Sequence, residues 1–139
     1  MEARDTREGS AFAVLAAGCF GAVEEFARAI PGVVDAVSGY TGGSQDDPSY
    51  EQECSGRTGH AEAVLVTFDP KVISYDRLLE EFWRHHDPTT PNRQGPEVGS
   101  RYRSAVFVHG AEQERITRES LQTFQDRFSR PIVTEASTF

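Results

Sequence analysis

The sequence predicts an α/β domain in which a sheet is covered by helices. Two observations carry that expectation. Apolar runs of strand length, at residues 11–17, 33–37, 61–68 and 104–108, alternate with stretches whose apolar residues recur at helical spacing. Turn chemistry (Pro31-Gly32, Asp69-Pro70 and Asp87-Pro88) stands at the joins between them. With 139 residues, 37% of them hydrophobic and 26% charged, the chain is long enough for one substantial core.

Met1 to Ser10 is polar and is expected as a flexible N-terminal arm, leaving residues 11–139 as a single domain. Ala11 to Ala17 is uninterruptedly apolar, as a buried strand is. Phe20, Val23, Phe26, Ala27 and Ile30 then mark one face of a first helix, which stops at Pro31-Gly32. Val33 to Val37 reads as a strand running into Gly39-Tyr40-Thr41-Gly42-Gly43. The polar run 44–59 is expected as a long functional loop. Across Ala61 to Phe68, Glu62, Val64, Val66 and Phe68 fall on one face of a strand. Ser74 is placed to cap a second helix along which Tyr75, Leu78, Leu79, Phe82 and His86 share a face. Three prolines and two glycines over residues 88–102 predict a second long loop. Ser104 to Val108 is a further strand, Thr117, Leu121, Phe124 and Phe128 mark a third helix, and Ile132-Val133-Thr134 a last short strand.

A net charge of −8, with fourteen Lys and Arg scattered along the chain, argues against a nucleic-acid partner. No apolar run reaches the roughly 20 residues of a membrane helix, and the polar N-terminus lacks a signal-peptide pattern, so the cytoplasm is the expected compartment. Cys19 and Cys54 stand in neither CxxC nor zinc-finger spacing, which points away from a disulfide scaffold or a metal site.

Gly18-Cys19 falls where a strand turns into a helix. A thiol there meets the unpaired N–H groups and positive dipole end of the helix, which favour thiolate. A small residue packed beneath the helix would give the same pattern. Glu62, in phase with Val64, Val66 and Phe68, would start the buried row, where desolvation favours the protonated acid; a solvated strand end is the alternative. His60 stands beside it. Tyr50 and Tyr102 could supply hydroxyl donors or be core residues with wet tips. His85 and His86 diverge by about 100° on a helix and make a poor metal pair, so capping or surface positions are expected for them. Arg93 and Arg103 could bind an anion or lie solvated. No Lys follows the Gly39 to Gly43 run, so it is no phosphate loop.

Taken together, Gly18-Cys19-Phe20, Gly39-Tyr40-Thr41-Gly42-Gly43, the run from Cys54 through Gly59-His60-Ala61-Glu62, Phe68-Asp69-Pro70, His86-Asp87-Pro88-Thr89-Thr90, Asn92-Arg93-Gln94-Gly95 and Tyr102-Arg103-Ser104-Ala105 resemble the peptide methionine sulfoxide reductase A family, which reduces the S epimer of methionine sulfoxide. These motifs lie in order over nearly the whole chain. The resemblance implies a two-layer α/β plait, a ferredoxin-like sandwich with long functional loops. It implies Cys19 as nucleophile, Glu62 as the acid that protonates the sulfoxide oxygen, and Tyr50 and Tyr102 as the hydroxyls that hold that oxygen. Phe20, Gly21, Glu97 and His60 take substrate-binding positions. No bound cofactor or metal is implied. The product on the enzyme would be a Cys19 sulfenic acid, which an external thiol such as thioredoxin must reduce.

The departures concern the pocket. The family motif Gly-Cys-Phe-Trp-Gly has Gly21 and Ala22 at its last two positions here. Gly95-Pro96-Glu97 stands for the usual Gly-Asn-Asp, and Arg101 for a common Gln. The sequence closes at Phe139, short of a Tyr-Pro-Ala-Glu segment and the C-terminal recycling cysteines often found after it, so recycling is expected from an external reductant or from Cys54. A related, bulkier sulfoxide becomes a candidate substrate. The alternative from another class is a non-catalytic or weakly active binding module that keeps the fold and pocket.

Overall fold

The computed structural model describes residues 9–42 and 59–139. The apolar run Ala11–Ala17 forms β1, the middle strand of a five-stranded sheet. It leads into α1 (Phe20–Arg28), then β2 (Val33–Thr41), β3 (Ala61–Phe68) and α2 (Tyr75–His85). A small hairpin, β4 (Arg93–Gln94) with β5 (Glu97–Val98), and a 3-10 turn (Ser100–Tyr102) precede β6 (Ser104–Val108). α3 (Gly110–Gln125) and β7 (Glu135–Thr138) complete the fold.

The sheet order is β2-β3-β1-β6-β7. β1 runs antiparallel to both β3 and β6, β2 antiparallel to β3, and β7 parallel to β6. Two β-α-β units therefore interlock, β1-α1-β2 around β3 and β3-α2-β6 around β1. This is the order of a ferredoxin-like plait, with α3 and β7 added at the β6 edge.

Every residue of β3 is buried, which is why its apolar character is nearly continuous. One face of the sheet, with Ala13, Leu15, Val64, Val66, Phe68 and Val106, packs on Val23 and Ala27 of α1, Leu78, Leu79 and Phe82 of α2, and Phe124 of α3. The opposite face carries a second cluster, with Val14, Leu65 and Phe107 among its residues. Gly42, at φ +87°, lies directly on Phe107: a Cβ added there would sit 2.5 Å from the ring. Any side chain at that position would lift the chain off the second face.

Ser74 caps α2 as expected, its Oγ accepting the Arg77 N–H at 3.1 Å. α2 and α3 are joined by buried polar pairs, Trp83 Nε1–H to Ser120 Oγ at 2.8 Å and Tyr75 with Thr117 at 3.0 Å.

Three expectations need correction. Ile132-Val133-Thr134 is not a strand. The Ile132 N–H donates to the Gln125 side chain and the Val133 N–H to the Pro88 carbonyl, both at 2.8 Å, so the ladder with β6 begins only at Glu135, opposite Ala105. The apolar signal there reflects packing of Ile132 against the core. Phe128 lies past the end of α3, in a turn bonded to Gln125. β2 extends to Thr41, because the Gly39 to Thr41 stretch stays paired with Ala63 to Ala61. His86 is the C-cap residue of α2, and its ring caps the helix end as one of the two expected readings had it. Its ring nitrogens meet the Phe82 carbonyl and Ser104 Oγ, each at 2.8 Å.

Candidate active site

The turn between β1 and α1 is shaped by Gly18, whose φ of +86° an L side chain adopts only with strain. It is also crowded: a Cβ there would lie 2.8 Å from Cβ of Gln94. Gln94 is itself fixed, its Oε1 accepting the Asp87 N–H at 3.0 Å and its Nε2 donating to the Asp87 carbonyl at 2.9 Å. The loop after α2 thus presses on the turn that presents Cys19. Cys19 follows as the N-cap residue of α1, in extended conformation and half-buried. Its side chain makes no cap hydrogen bond, although its carbonyl accepts from Ala22 and Val23 at 3.2 and 3.3 Å. The thiol is therefore at a helix N-terminus without being spent on capping it.

Glu62 lies on the helix-covered face of β3, in phase with Val64, Val66 and Phe68 as the alternation indicated, and is only 4% exposed. Its Oε1 accepts the backbone N–H of Phe20 at 3.2 Å. That N–H is one of the unpaired donors at the start of α1, so the acid sits at the same helix terminus as the thiol. Arg101 Nε lies 3.8 Å from Glu62 Oε2, and its guanidinium covers the ring of Tyr102 at 4.5 Å. Tyr40 is the register partner of Glu62 in β2, and its ring packs against Phe20 at 5.5 Å between centroids.

Tyr102 is buried, and that burial pushes its phenol above the usual range. The negative charges of Glu62 and Glu97 act in the same direction and Arg101 against it. At physiological pH Tyr102 is therefore a neutral hydroxyl, able to donate a hydrogen bond.

Of the residues singled out from the sequence, the fold brings Cys19, Phe20, Gly21, Glu62 and Tyr102 to one end of the sheet, with Glu97 in electrostatic reach of Tyr102. His60 is buried just before β3. Tyr50 and Cys54 lie outside the described residues. Arg103 is engaged structurally, with Glu135 at 3.2 Å and the Ser100 carbonyl at 2.8 Å. His85 stacks on Phe26. Among the described residues no group of three or more His, Cys, Asp or Glu is arranged to hold a metal ion, and no helix is long and apolar enough to cross a membrane. Sequence reasoning did not assign roles to Gln94, Tyr40 or Arg101. Gln94 had a signal in its place within the Asn92 to Gly95 motif, and Arg101 in being a cation beside a candidate catalytic Tyr.

A thiol and a buried carboxyl at one helix N-terminus, on a ferredoxin-like plait, make a candidate site for cysteine-dependent chemistry. The family described as peptide methionine sulfoxide reductase matches residues 11–139. A peptide methionine sulfoxide reductase from Methanoculleus marisnigri is 53% identical over 124 residues, covering 88% of this chain and 76% of that protein. Methionine sulfoxide reductase A of Corynebacterium diphtheriae superposes with a TM-score of 0.91 at 31% identity, over 96% of this chain and 67% of that one. Mxr1 from Saccharomyces cerevisiae in its reduced form gives 0.88 at 34% identity, over 93% and 76%. Mxr1 in complex with Trx2 gives 0.73 at 24% identity, over 98% and 81%. The chain belongs to the peptide methionine sulfoxide reductase A family.

Proposed function

We propose that this protein reduces the S epimer of methionine sulfoxide with Cys19 as nucleophile and Glu62 as acid. The observation that carries the reading is the hydrogen bond from Phe20 N–H to Glu62 Oε1, which fixes the carboxyl at the helix end where Cys19 stands. A sulfoxide oxygen leaves poorly unless it is protonated, so attack at sulfur needs a thiolate and an acid on the two sides of one S–O bond. Cys19 Sγ bonds to the sulfoxide sulfur as Glu62 passes its proton to the oxygen. The S–O bond then breaks, the sulfide leaves, and the oxygen ends on Cys19 as a sulfenic acid; sulfur of the substrate is reduced and that of Cys19 oxidised. Tyr102, neutral and donating, steadies the oxygen, and Tyr50 supplies the second hydroxyl. Phe20 with Tyr40 forms an aromatic wall for the S-methyl group, while Glu97 and His60 border the site.

An external thiol closes the cycle. Its sulfur displaces the hydroxyl of the sulfenic acid as water, giving a mixed disulfide that a second thiol resolves. A thioredoxin is the reductant we assign, by the analogy of Mxr1, which has been captured with Trx2.

Incubation with methionine sulfoxide and no reductant tests this by mass spectrometry. One equivalent of sulfide and one Cys19 sulfenic acid, trapped with dimedone, are expected. Sulfide formed by a Cys19→Ser variant at the parent rate would remove Cys19 from the reaction.

A further inference from the structure

Among the described residues, Arg101 is a charged group within ion-pair distance of the acid, and the fold holds it firmly. It occupies the 3-10 turn Ser100–Tyr102, closed by Tyr102 N–H to the Gly99 carbonyl at 3.0 Å and Arg103 N–H to the Ser100 carbonyl at 3.3 Å. Arg103 staples the same turn to β7 through Glu135. The Arg101 side chain is mostly covered, with its guanidinium carbon 4.5 Å from the centre of the Tyr102 ring and its Nε 3.8 Å from Glu62 Oε2. Glu62 thus accepts a helix N–H on Oε1 and has a guanidinium within ion-pair distance of Oε2. Both contacts favour the carboxylate, whereas the proposed reaction consumes the carboxylic acid.

We propose that Arg101 is a positioning residue that holds Glu62 in an ion pair at rest and sets the fraction of enzyme carrying the proton the reaction needs. The inference rests on Glu62 being the acid. A buried carboxylate 3.8 Å from a cation is stabilised far more than an exposed one, because little water screens the pair. The pair also fixes the carboxyl plane, so the acid is aimed without searching rotamers. The other polar and titratable groups around Glu62 are Cys19 and the Phe20 N–H from α1, Tyr40 across the ladder in β2, His60 two residues earlier, and Tyr102 beside Arg101, with Glu97 of β5 acting on Tyr102. Among these described neighbours Arg101 is the permanent cation. The limb of the pH profile that belongs to the acid should therefore lie at lower pH than in an enzyme with a neutral residue at this position.

The test is the pH profile of the first half-reaction, sulfide release from methionine sulfoxide in a single turnover, for the parent, Arg101→Gln, Arg101→Lys and Glu62→Gln. Glu62→Gln identifies the limb that belongs to the acid. In Arg101→Gln that limb should move up by about one unit or more, giving roughly tenfold faster sulfide release on its alkaline side. Arg101→Lys should keep it near the parent position. If Arg101→Gln does not fold, Arg101→Met keeps the stem over the Tyr102 ring and serves in its place. An unmoved limb in a folded neutral variant, or a Lys variant shifted as far as the Gln variant, would overturn the inference. A parent-like rate in Glu62→Gln would instead overturn the acid assignment itself.

Discussion

The Phe20 N–H donates to Glu62 Oε1 across 3.2 Å, tying the first residue of α1 to a strand 42 positions further along the chain. A buried carboxyl would ordinarily need a side-chain partner to offset its desolvation. Here the helix terminus supplies a backbone donor beside the Arg101 side chain, and the same bond satisfies one of the unpaired N–H groups of that terminus. Stability and chemistry therefore share one contact and can be separated by substitution. Glu62→Gln keeps an oxygen to accept the Phe20 N–H but has no proton to transfer. It should fold with a thermal midpoint lowered by the loss of Arg101's anionic partner, while Cys19 sulfenic acid forms about 10²–10⁴-fold more slowly. Glu62→Ala should lose the rate and, in addition, about 1–3 kcal/mol of stability, since a buried N–H is then unpaired. Stopped-flow rates and urea unfolding of the two variants check this.

Gly18→Ala should impair activity through geometry alone. The φ of +86° strains an Ala, and its Cβ would lie 2.8 Å from Cβ of Gln94, which is held at both ends of its amide by Asp87. The turn must shift, and Cys19 with it. A stability loss of about 1–2 kcal/mol from the backbone strain is expected. The sulfide release rate should drop at least tenfold, the scale on which small misplacements of a reacting group act. Gln94→Gly removes the opposing Cβ, so the double variant should recover part of the lost rate. A double variant no faster than Gly18→Ala would place the defect in the backbone conformation rather than in the clash.

Much of this site was legible in the sequence, for identifiable reasons. The Cys19 turn was readable because an apolar run stops at a Gly and a helical period starts beside it. The orientation of Glu62 followed from its phase with Val64, Val66 and Phe68, and the end of α2 from Asp87-Pro88. The Arg101–Glu62 pair was not readable, because it depends on a 3-10 turn arriving beside β3 and on nothing local to either residue. The last strand was misplaced because Ile132 and Val133 look like strand residues, yet their N–H groups are spent on Gln125 and Pro88. The cap that His86 places on the Phe82 carbonyl was among its expected roles, but its second bond was not readable, because Ser104 lies in a strand 18 residues further on.

That histidine makes stability depend on pH. Burial drives its pKa from the ordinary 6.5 to about 4, with the Phe82 carbonyl bond opposing and the His85 charge assisting. The unfolded chain takes up a proton near pH 6.5 while the folded protein resists until about pH 4. Stability from this group is therefore full above pH 6.5 and is lost as pH falls through that window. The shift corresponds to about 3 kcal/mol in total. Urea midpoints at pH 7.5, 5.5 and 4.5 should fall steadily for the parent. His86→Gln, which can still bond Phe82 and Ser104, should show a much flatter dependence. An equally steep fall in His86→Gln would assign the acid sensitivity to other groups.

Gly21 should decide which sulfoxides the protein prefers. It is exposed in the first turn of α1, and around an added Cβ the nearest atom is Cys19 Sγ at 3.8 Å, with nothing else within 4 Å. Among the described residues nothing further walls the thiol on this side, at the position where the family motif carries Trp. Nearby aromatics do not close the gap from the described part of the fold: Phe20 and Tyr40 pack on one another, and Trp83 is 1% exposed with its indole N–H bonded to Ser120. An indole at position 21 could bury on the order of 150–250 Å². Each methylene-sized contact to the S-methyl group adds roughly 0.8 kcal/mol, so two of them would raise kcat/KM for methionine sulfoxide about tenfold. The same ring would exclude a larger S-substituent that the open side now admits. The parent should therefore discriminate weakly between methyl and benzyl sulfoxides, and Gly21→Trp should favour the methyl substrate strongly. Helix stability should not suffer, since Gly is the poorer helix former of the two. Comparing kcat/KM for both substrates in both proteins decides the matter. If the ratio is the same with and without the indole, the Phe20–Tyr40 wall sets selectivity by itself and the opening at Gly21 has no consequence for substrate choice.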